Sequence, residues 1–229
     1  MQFSFPINTR LAPGGRLLLV SDEEAFVSHY GPGLPIVGQY DGLLDNSGEQ
    51  LVIENSTGNV ILNFTYNDGS EWPSGSDGEG YSLVSRDSDL SDALSWRDSD
   101  ERMGNPGESD NTRFSGLPST DEDRDGVEAL LEYATGGDDR SPGDDLATPV
   151  LSISRDGRLE IMISLNLSAF DIDISLEQTS DLVTWEPLVG FERIAIIRNQ
   201  AKGTARVVYR ATTPQESSTK FLRLRATLR

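Results

Sequence analysis

The segment from Asp121 to Glu132 constrains this chain more than any other stretch, because its acidic residues follow a fixed spacing. Carboxylates occupy positions 1, 3, 5 and 12 of the segment and Gly126 occupies position 6, which fits the pattern D-x-[DN]-x-[DN]-G-x5-E. Calcium requires many oxygen ligands, and three aspartates converge only where the backbone turns sharply, as glycine permits. The segment therefore predicts a Ca²⁺-binding loop.

The spacing also predicts which atoms would hold the ion. The expected ligands are the side chains of Asp121, Asp123, Asp125 and Glu132 and the backbone carbonyl of Val127. Without a cation, these carboxylates would repel one another at close range. A solvated acidic linker is the alternative interpretation, because such linkers are common.

The flanks predict a loop followed by one helix, not a complete helix-loop-helix unit. Pro118 lies in Gly116-Leu117-Pro118-Ser119-Thr120, which cannot form an entering helix. Apolar residues recur downstream at helical spacing, at Val127, Leu130, Leu131 and Ala134. Gly136-Gly137 ends that pattern. A second acidic cluster, Asp138, Asp139, Asp144 and Asp145, has no ligand spacing and is interpreted as solvated linker.

The net charge of -19 limits the possible partners of this 229-residue chain. Phosphate backbones and anionic lipid headgroups would repel it, so we expect no nucleic-acid partner, whereas cations are natural ligands. The chain has no cysteine, which excludes disulfides, thiolate metal sites and cysteine catalysis. No stretch is long and apolar enough for membrane insertion.

Hydrophobic patterning predicts a mainly β fold. In the N-terminal part we expect a strand at Leu17-Leu18-Leu19-Val20, then a short helix over residues 22–29 with Ser21 as its N-cap, within an antiparallel β region. Strands at 51–54 and 60–66 bracket a glycine-containing hairpin loop. Further along, Asp156-Gly157 joins strands at 149–154 and 159–164, and strands follow at 171–177, 206–210 and 221–226.

These elements predict two β-sandwich-like domains joined by an acidic linker with one short helix. We place the first domain at residues 1–107, the linker with its calcium loop at 108–146, and the second domain at 147–229.

The order of short motifs in residues 1–107 resembles bacterial lamin-tail domains. The motifs are Leu11-Ala12-Pro13-Gly14-Gly15-Arg16, Leu44-Asp45-Asn46-Ser47-Gly48-Glu49, Gly58-Asn59-Val60-Ile61, Gly78-Glu79-Gly80-Tyr81-Ser82-Leu83, Ser95-Trp96-Arg97 and Gly104-Asn105-Pro106-Gly107. The resemblance implies an immunoglobulin-like β-sandwich of large surface or secreted bacterial proteins. The family's opening strands are missing, and residues 1–6 do not form a signal peptide, so we expect a fragment of a larger exported protein.

The rest of the chain resembles a second group of modules. The loop with its single helix is similar to dockerin-type and thrombospondin-type-3-like calcium segments. Gln178-Thr179-Ser180-Asp181-Leu182-Val183-Thr184-Trp185 resembles a signature of C-terminal β-domains in secreted planctomycete and verrucomicrobial proteins. There, a calcium loop leading into Leu-Glu-Tyr-Ala precedes the β-domain, as Leu131-Glu132-Tyr133-Ala134 does here.

No motif selects a catalytic residue. His29 is the only histidine, and its expected place at a helix end favours a capping role. We therefore expect a non-enzymatic structural or interaction module, with a cell-surface protein or polysaccharide as a partner. The alternative is a carbohydrate- or protein-binding module that uses exposed Trp72, Trp96 or Trp185, although such rings usually pin loops to a core. A weaker alternative is a hydrolase that uses acids of residues 68–110.

Overall fold

A computed structural model describes residues 1–143, 146–214 and 220–229. It confirms the mainly β fold, with thirteen strands and two α-helices among those residues. Neither of these helices has the length and apolarity needed to cross a lipid bilayer.

The C-terminal part of the chain is a two-sheet sandwich. One sheet has the order β11-β12-β8-β7 and the other has the order β10-β9-β13, with antiparallel pairing throughout. The strands are β7 (Val150–Ile153), β8 (Leu159–Asn166), β9 (Ile172–Thr179), β10 (Glu186–Pro187), β11 (Phe191–Asn199), β12 (Thr204–Ala211) and β13 (Phe221–Leu228). The predicted Asp156-Gly157 turn joins β7 to β8, and Gly157 has the positive φ of 79° that this turn needs.

The sandwich core forms where the inward faces of the two sheets meet. Ile161 and Ile163 of β8 and Val207 of β12 are buried together with Leu224 of β13 from the opposite sheet. These β8 residues alternate along the strand, as expected for one face of a half-buried strand. Leu94 and Leu131, which lie outside the sandwich strands, pack against this core.

Residues 1–107 contain three separate two-stranded sheets. They are formed by β1 (Leu18–Val20) with β2 (Ile36–Gln39), β3 (Gln50–Glu54) with β4 (Val60–Thr65), and β5 (Leu83–Ser85) with β6 (Trp96–Asp98). The β3–β4 hairpin lies where the sequence predicts it. The β1–β2 pair is parallel, so the expectation of purely antiparallel pairing in this region was wrong. Parallel neighbouring strands need a crossover connection, and the helix between β1 and β2 forms it.

Helix α1 (Glu23–Tyr30) begins one residue later than the sequence suggests. Asp22, and not Ser21, is its N-cap, because the Asp22 side chain accepts a hydrogen bond from the backbone N–H of Ala25. His29 lies in the last turn, where a cationic side chain would favour the helix dipole. The expectation of a helix in this place is confirmed, with its cap corrected.

A segment of the N-terminal part packs directly on the sandwich. Arg198 of β11 donates three hydrogen bonds to backbone carbonyls, to Glu71 at 2.8 Å, Trp96 at 2.9 Å and Ala93 at 2.6 Å. Asp92 accepts two hydrogen bonds of 2.7 Å from Arg193. An apolar cluster lies under these contacts and consists of Ala93, Leu167, Ile196 and Ala205, with Trp72 and Leu94 packed against it. Residues 71–98 are thus fastened to β11 by both polar and apolar contacts.

Candidate metal centre

The acidic loop is held closed at its base by backbone hydrogen bonds. Thr120 O accepts from Ala129 N at 2.7 Å, and Pro118 O accepts from Leu130 N at 3.1 Å. The segment before the loop is therefore tied to the first turn of the helix after it. A non-helical entry and a helical exit are what the sequence predicts here.

Helix α2 (Ala129–Thr135) anchors the loop to the sandwich. Leu130 and Ala134 are buried in one cluster with Ala169 and Ile172. The end of the helix is bound to β8, because Ser164 Oγ donates to Thr135 O at 2.9 Å. Gly136 ends the helix in the left-handed conformation, with φ 89°. The predicted helix is confirmed, and it is packed against the second domain's core.

The three aspartates of the loop converge. Asp121, Asp123 and Asp125 each offer a carboxylate oxygen, and these oxygens all lie within 4.8 Å of one another. Hydrogen bonds inside the loop hold one oxygen of each aspartate. Asp121 Oδ2 accepts from Gly126 N and Asp123 Oδ1 accepts from Asp125 N, both at 3.1 Å, and Asp125 Oδ1 accepts from Val127 N at 2.9 Å. This arrangement can hold a metal ion.

The backbone turns at the positions that the motif requires. Arg124 and Gly126 have positive φ values of 64° and 95°. Glycine adopts this conformation without strain, whereas a side chain such as that of Arg124 adopts it at some cost. The turn brings positions 1, 3 and 5 of the loop to the same side.

The loop creates strong negative potential. Asp121 Oδ1 and Asp123 Oδ2 are shielded from solvent and have no hydrogen-bond partner among the residues that the structure describes. Partial burial, together with the neighbouring carboxylates of Asp125 and Asp121, raises the pKa of the Asp123 carboxyl. Oxygen donors of this charge fit a hard cation. A bound cation would reverse this shift and favour the ionised form.

The two remaining predicted ligands lie on the helix side of the loop. Val127 is half-buried, and its backbone is adjacent to Asp125 through the hydrogen bond described above. Glu132 lies on α2 and is 1% exposed. Among the described residues, the group of oxygens within 4.8 Å consists of the three aspartates and does not include Glu132.

The second acidic cluster lies beside the loop. Asp139 Oδ1 accepts a hydrogen bond from Glu122 N at 3.0 Å, and Glu122 pairs with Arg140 at 3.2 Å. Asp144 and Asp145, which complete the predicted cluster, lie outside the described residues. Asp139 of this cluster therefore helps to hold the outer side of the loop.

The tryptophans are less available than a stacking surface requires. Trp96 is 7% exposed, so this ring does not support the alternative of a stacking surface made of exposed tryptophans. Its ring packs between Phe64 at 5.4 Å and Trp72 at 6.1 Å, and its Nε1 donates to Leu90 O. Trp185 is half-buried, with the Arg223 guanidinium 4.1 Å from its ring centroid. Trp72 and Trp96 pin their loop to the core, as such rings usually do.

The sequence did not indicate a cleft of about 360 Å³ between the β3–β4 hairpin and residues 73–83. Trp96 contributes to its floor, and Phe64, Tyr66 and Tyr81 line it. Phe64 and Tyr66 lie two residues apart, at the end of β4, so they point to the same side. That spacing predicts that the two rings share one face of the strand, but it does not predict that this face meets Tyr81 and Trp96.

Comparison with protein-family models, with curated proteins and with solved structures gave no match for this chain.

Proposed function

We propose that this chain is a non-catalytic structural and interaction module of an exported or cell-surface bacterial protein, in which Ca²⁺ stabilises the loop Asp121–Glu132. The observation that carries the proposal is the convergence of Asp121, Asp123 and Asp125 within 4.8 Å. The loop also has the complete twelve-residue calcium pattern. Calcium accepts oxygen ligands in flexible geometry, whereas Mg²⁺ demands near-ideal octahedral geometry and loses water reluctantly.

In this proposal the ion acts on stability and not on a reaction. Its ligands would be the three aspartates, the carbonyl of Val127 and Glu132, whose carboxylate would have to join the group of converging oxygens. Because the loop is continuous with α2, and α2 is buried against Ala169 and Ile172, an ordered loop would stabilise the junction with the sandwich. A ligand present at 100 times its dissociation constant stabilises the folded state by about 2.7 kcal/mol.

The lamin-tail resemblance of residues 1–107 and the C-terminal β-domain resemblance support the placement outside the cell. Both groups of modules occur in large secreted or surface proteins, where calcium is abundant. The resemblance rests on the motifs quoted above, and their order along the chain matches as well.

The test is calorimetric titration of the full chain with Ca²⁺ and, separately, with Mg²⁺. We expect one Ca²⁺ site, and we expect D123N to weaken it at least about tenfold. E122Q is the matched control, because it removes one negative charge from the adjacent loop position and its carboxylate pairs outward with Arg140. E132Q tests whether the helix carboxylate joins the site.

Two results would contradict the proposal. The first is the absence of Ca²⁺ binding by the unaltered chain. The second is an equal loss of affinity in E122Q and D123N, since this would show a diffuse response to charge and not a site.

A further inference from the structure

The strongest feature outside the acidic loop is the cleft between the β3–β4 hairpin and residues 73–83. Its volume of about 360 Å³ lies in the range of small-molecule sites, roughly 300–1,000 Å³. It shares no residue with the loop Asp121–Glu132. Its ligand chemistry can therefore be examined separately from the metal.

The floor of the cleft is aromatic and rigid. Phe64 packs on Trp96, which itself packs on Trp72, so the rings support each other. Tyr66 is fixed at one side, because its hydroxyl donates to Asp45 O at 2.7 Å. Preformed aromatic faces bind apolar groups and also attract cations through their π electrons.

The charged residues that line the cleft are all acidic. Asp45, Asp68 and Asp77 line it, and no lysine or arginine is among its lining residues as the structure describes them. The Asp68 and Asp77 side chains have no hydrogen bond or ion pair within the described part of the chain. Two hydroxyls that could donate to a ligand are already engaged, since Tyr66 donates to Asp45 O and Ser76 donates to Pro73 O.

One ring of the cleft already attracts a cation from the chain itself. The Arg102 guanidinium lies 5.6 Å from the centroid of the Tyr81 ring. Arg102 does not line the cleft, yet it is close enough to compete with a ligand cation for this ring. The Tyr81 ring therefore already attracts one cation, and a ligand cation would have to share it with Arg102.

We infer that this cleft binds a small organic cation, an ammonium or guanidinium group on an apolar stem, with the stem on the aromatic floor and the charge towards Asp68 and Asp77. A neutral sugar is a poorer fit, because it could use the Asn46 and Asn67 amides and the Tyr81 hydroxyl but would leave the three carboxylates without a counter-charge. An anion is excluded by the three carboxylates.

The test uses the full chain at fixed calcium and fixed ionic strength. Benzylammonium chloride is the probe, and benzyl alcohol is its neutral control of similar shape. Binding is followed by calorimetry and by tryptophan fluorescence, because Trp96 forms part of the floor. We expect the ammonium compound to bind at least about tenfold tighter than the alcohol.

Variants locate the interaction. D68N/D77N should weaken benzylammonium binding roughly fivefold, whereas E54Q/E108Q, with the same net charge and exposed positions outside the cleft, should leave it unchanged. R102Q should strengthen binding about twofold or more, because it removes the competing cation. A gain of affinity cannot result from unfolding of the variant.

The inference is overturned if benzylammonium binds no tighter than benzyl alcohol, or if both double variants weaken binding equally. It is also overturned if a neutral oligosaccharide binds tighter than the ammonium probe and loses its affinity in D68N/D77N. If R102Q and D68N/D77N both leave benzylammonium binding unchanged, this cleft is not the site at which the probe binds.

Discussion

Arg198→Met should loosen the attachment of residues 71–98 to the sandwich. Arg198 is the only side chain that donates to Glu71 O, Trp96 O and Ala93 O, as far as the described residues show. Methionine preserves much of the apolar stem of arginine but removes every donor. Three backbone carbonyls would then lose a charged partner at once.

The magnitude follows from the contacts and from the burial of the charge. A hydrogen bond to a charged group contributes roughly 1.5–3 kcal/mol. Burial lowers the pKa of Arg198 to about 10, so the cost of burying this charge offsets part of what the three hydrogen bonds contribute. We expect R198M to decrease the free energy of unfolding by about 3 kcal/mol.

The assay is urea unfolding followed by tryptophan fluorescence, since Trp72 and Trp96 lie in the affected segment. Arg206→Met is the matched control, because Arg206 is an exposed arginine on the neighbouring strand β12 and its side chain has no hydrogen bond or ion pair with the residues that the structure describes. It should change the free energy of unfolding by less than about 0.5 kcal/mol. Equal effects of R198M and R206M would refute the view that the Arg198 hydrogen bonds hold this segment.

Two further predictions concern single residues of the sandwich. Gly136→Ala should destabilise the chain by about 2 kcal/mol in thermal unfolding, because φ is 89° and a Cβ would lie 2.5 Å from Thr204 Cγ2. Gly157→Ala, at a glycine with φ 79° and open space around it, should cost only about 1 kcal/mol. Equal costs of the two substitutions would contradict the steric argument. Hydrogen bonds from the Thr184 and Val183 backbones and the Thr179 hydroxyl lower the pKa of Asp181 from 3.8 to about 2. The ionised Asp181 carboxylate therefore stabilises the folded state fully above pH 3.8, and this stabilisation is lost as pH falls through about 2. The stability difference between the unaltered chain and D181N should therefore disappear in acid unfolding experiments near pH 2, and a constant difference down to that pH would contradict the assignment.

Local sequence patterns were enough to predict the elements that are determined by residues close together in the sequence. The helix α2 follows from its apolar spacing and from Gly136, and the β7–β8 hairpin follows from Asp156-Gly157. The convergence of Asp121, Asp123 and Asp125 follows from loop spacing alone. In each case the residues that determine the structure lie close together in the sequence.

Elements that depend on distant partners were not predictable in the same way. Strand β11 was missed because its register shifts between Arg193 and Ala195, which breaks the alternation of apolar and polar residues. The parallel pairing of β1 with β2 depends on a connection through α1. The cleft forms from β4, Tyr81 and Trp96, and nothing in the sequence states that these segments meet.

The three hydrogen bonds of Arg198 can form only late during synthesis of the chain. Their acceptors precede Arg198 by 127, 105 and 102 residues. At about 5–20 residues per second, a ribosome needs roughly 5–20 s to extend the chain by about 100 residues. During that interval Trp72 and Leu94 have no sheet to cover them, so the nascent chain would expose this apolar segment until β11 emerges. Substitutions that slow the closure of β11 onto the segment should therefore lower the yield of folded protein more than its final stability.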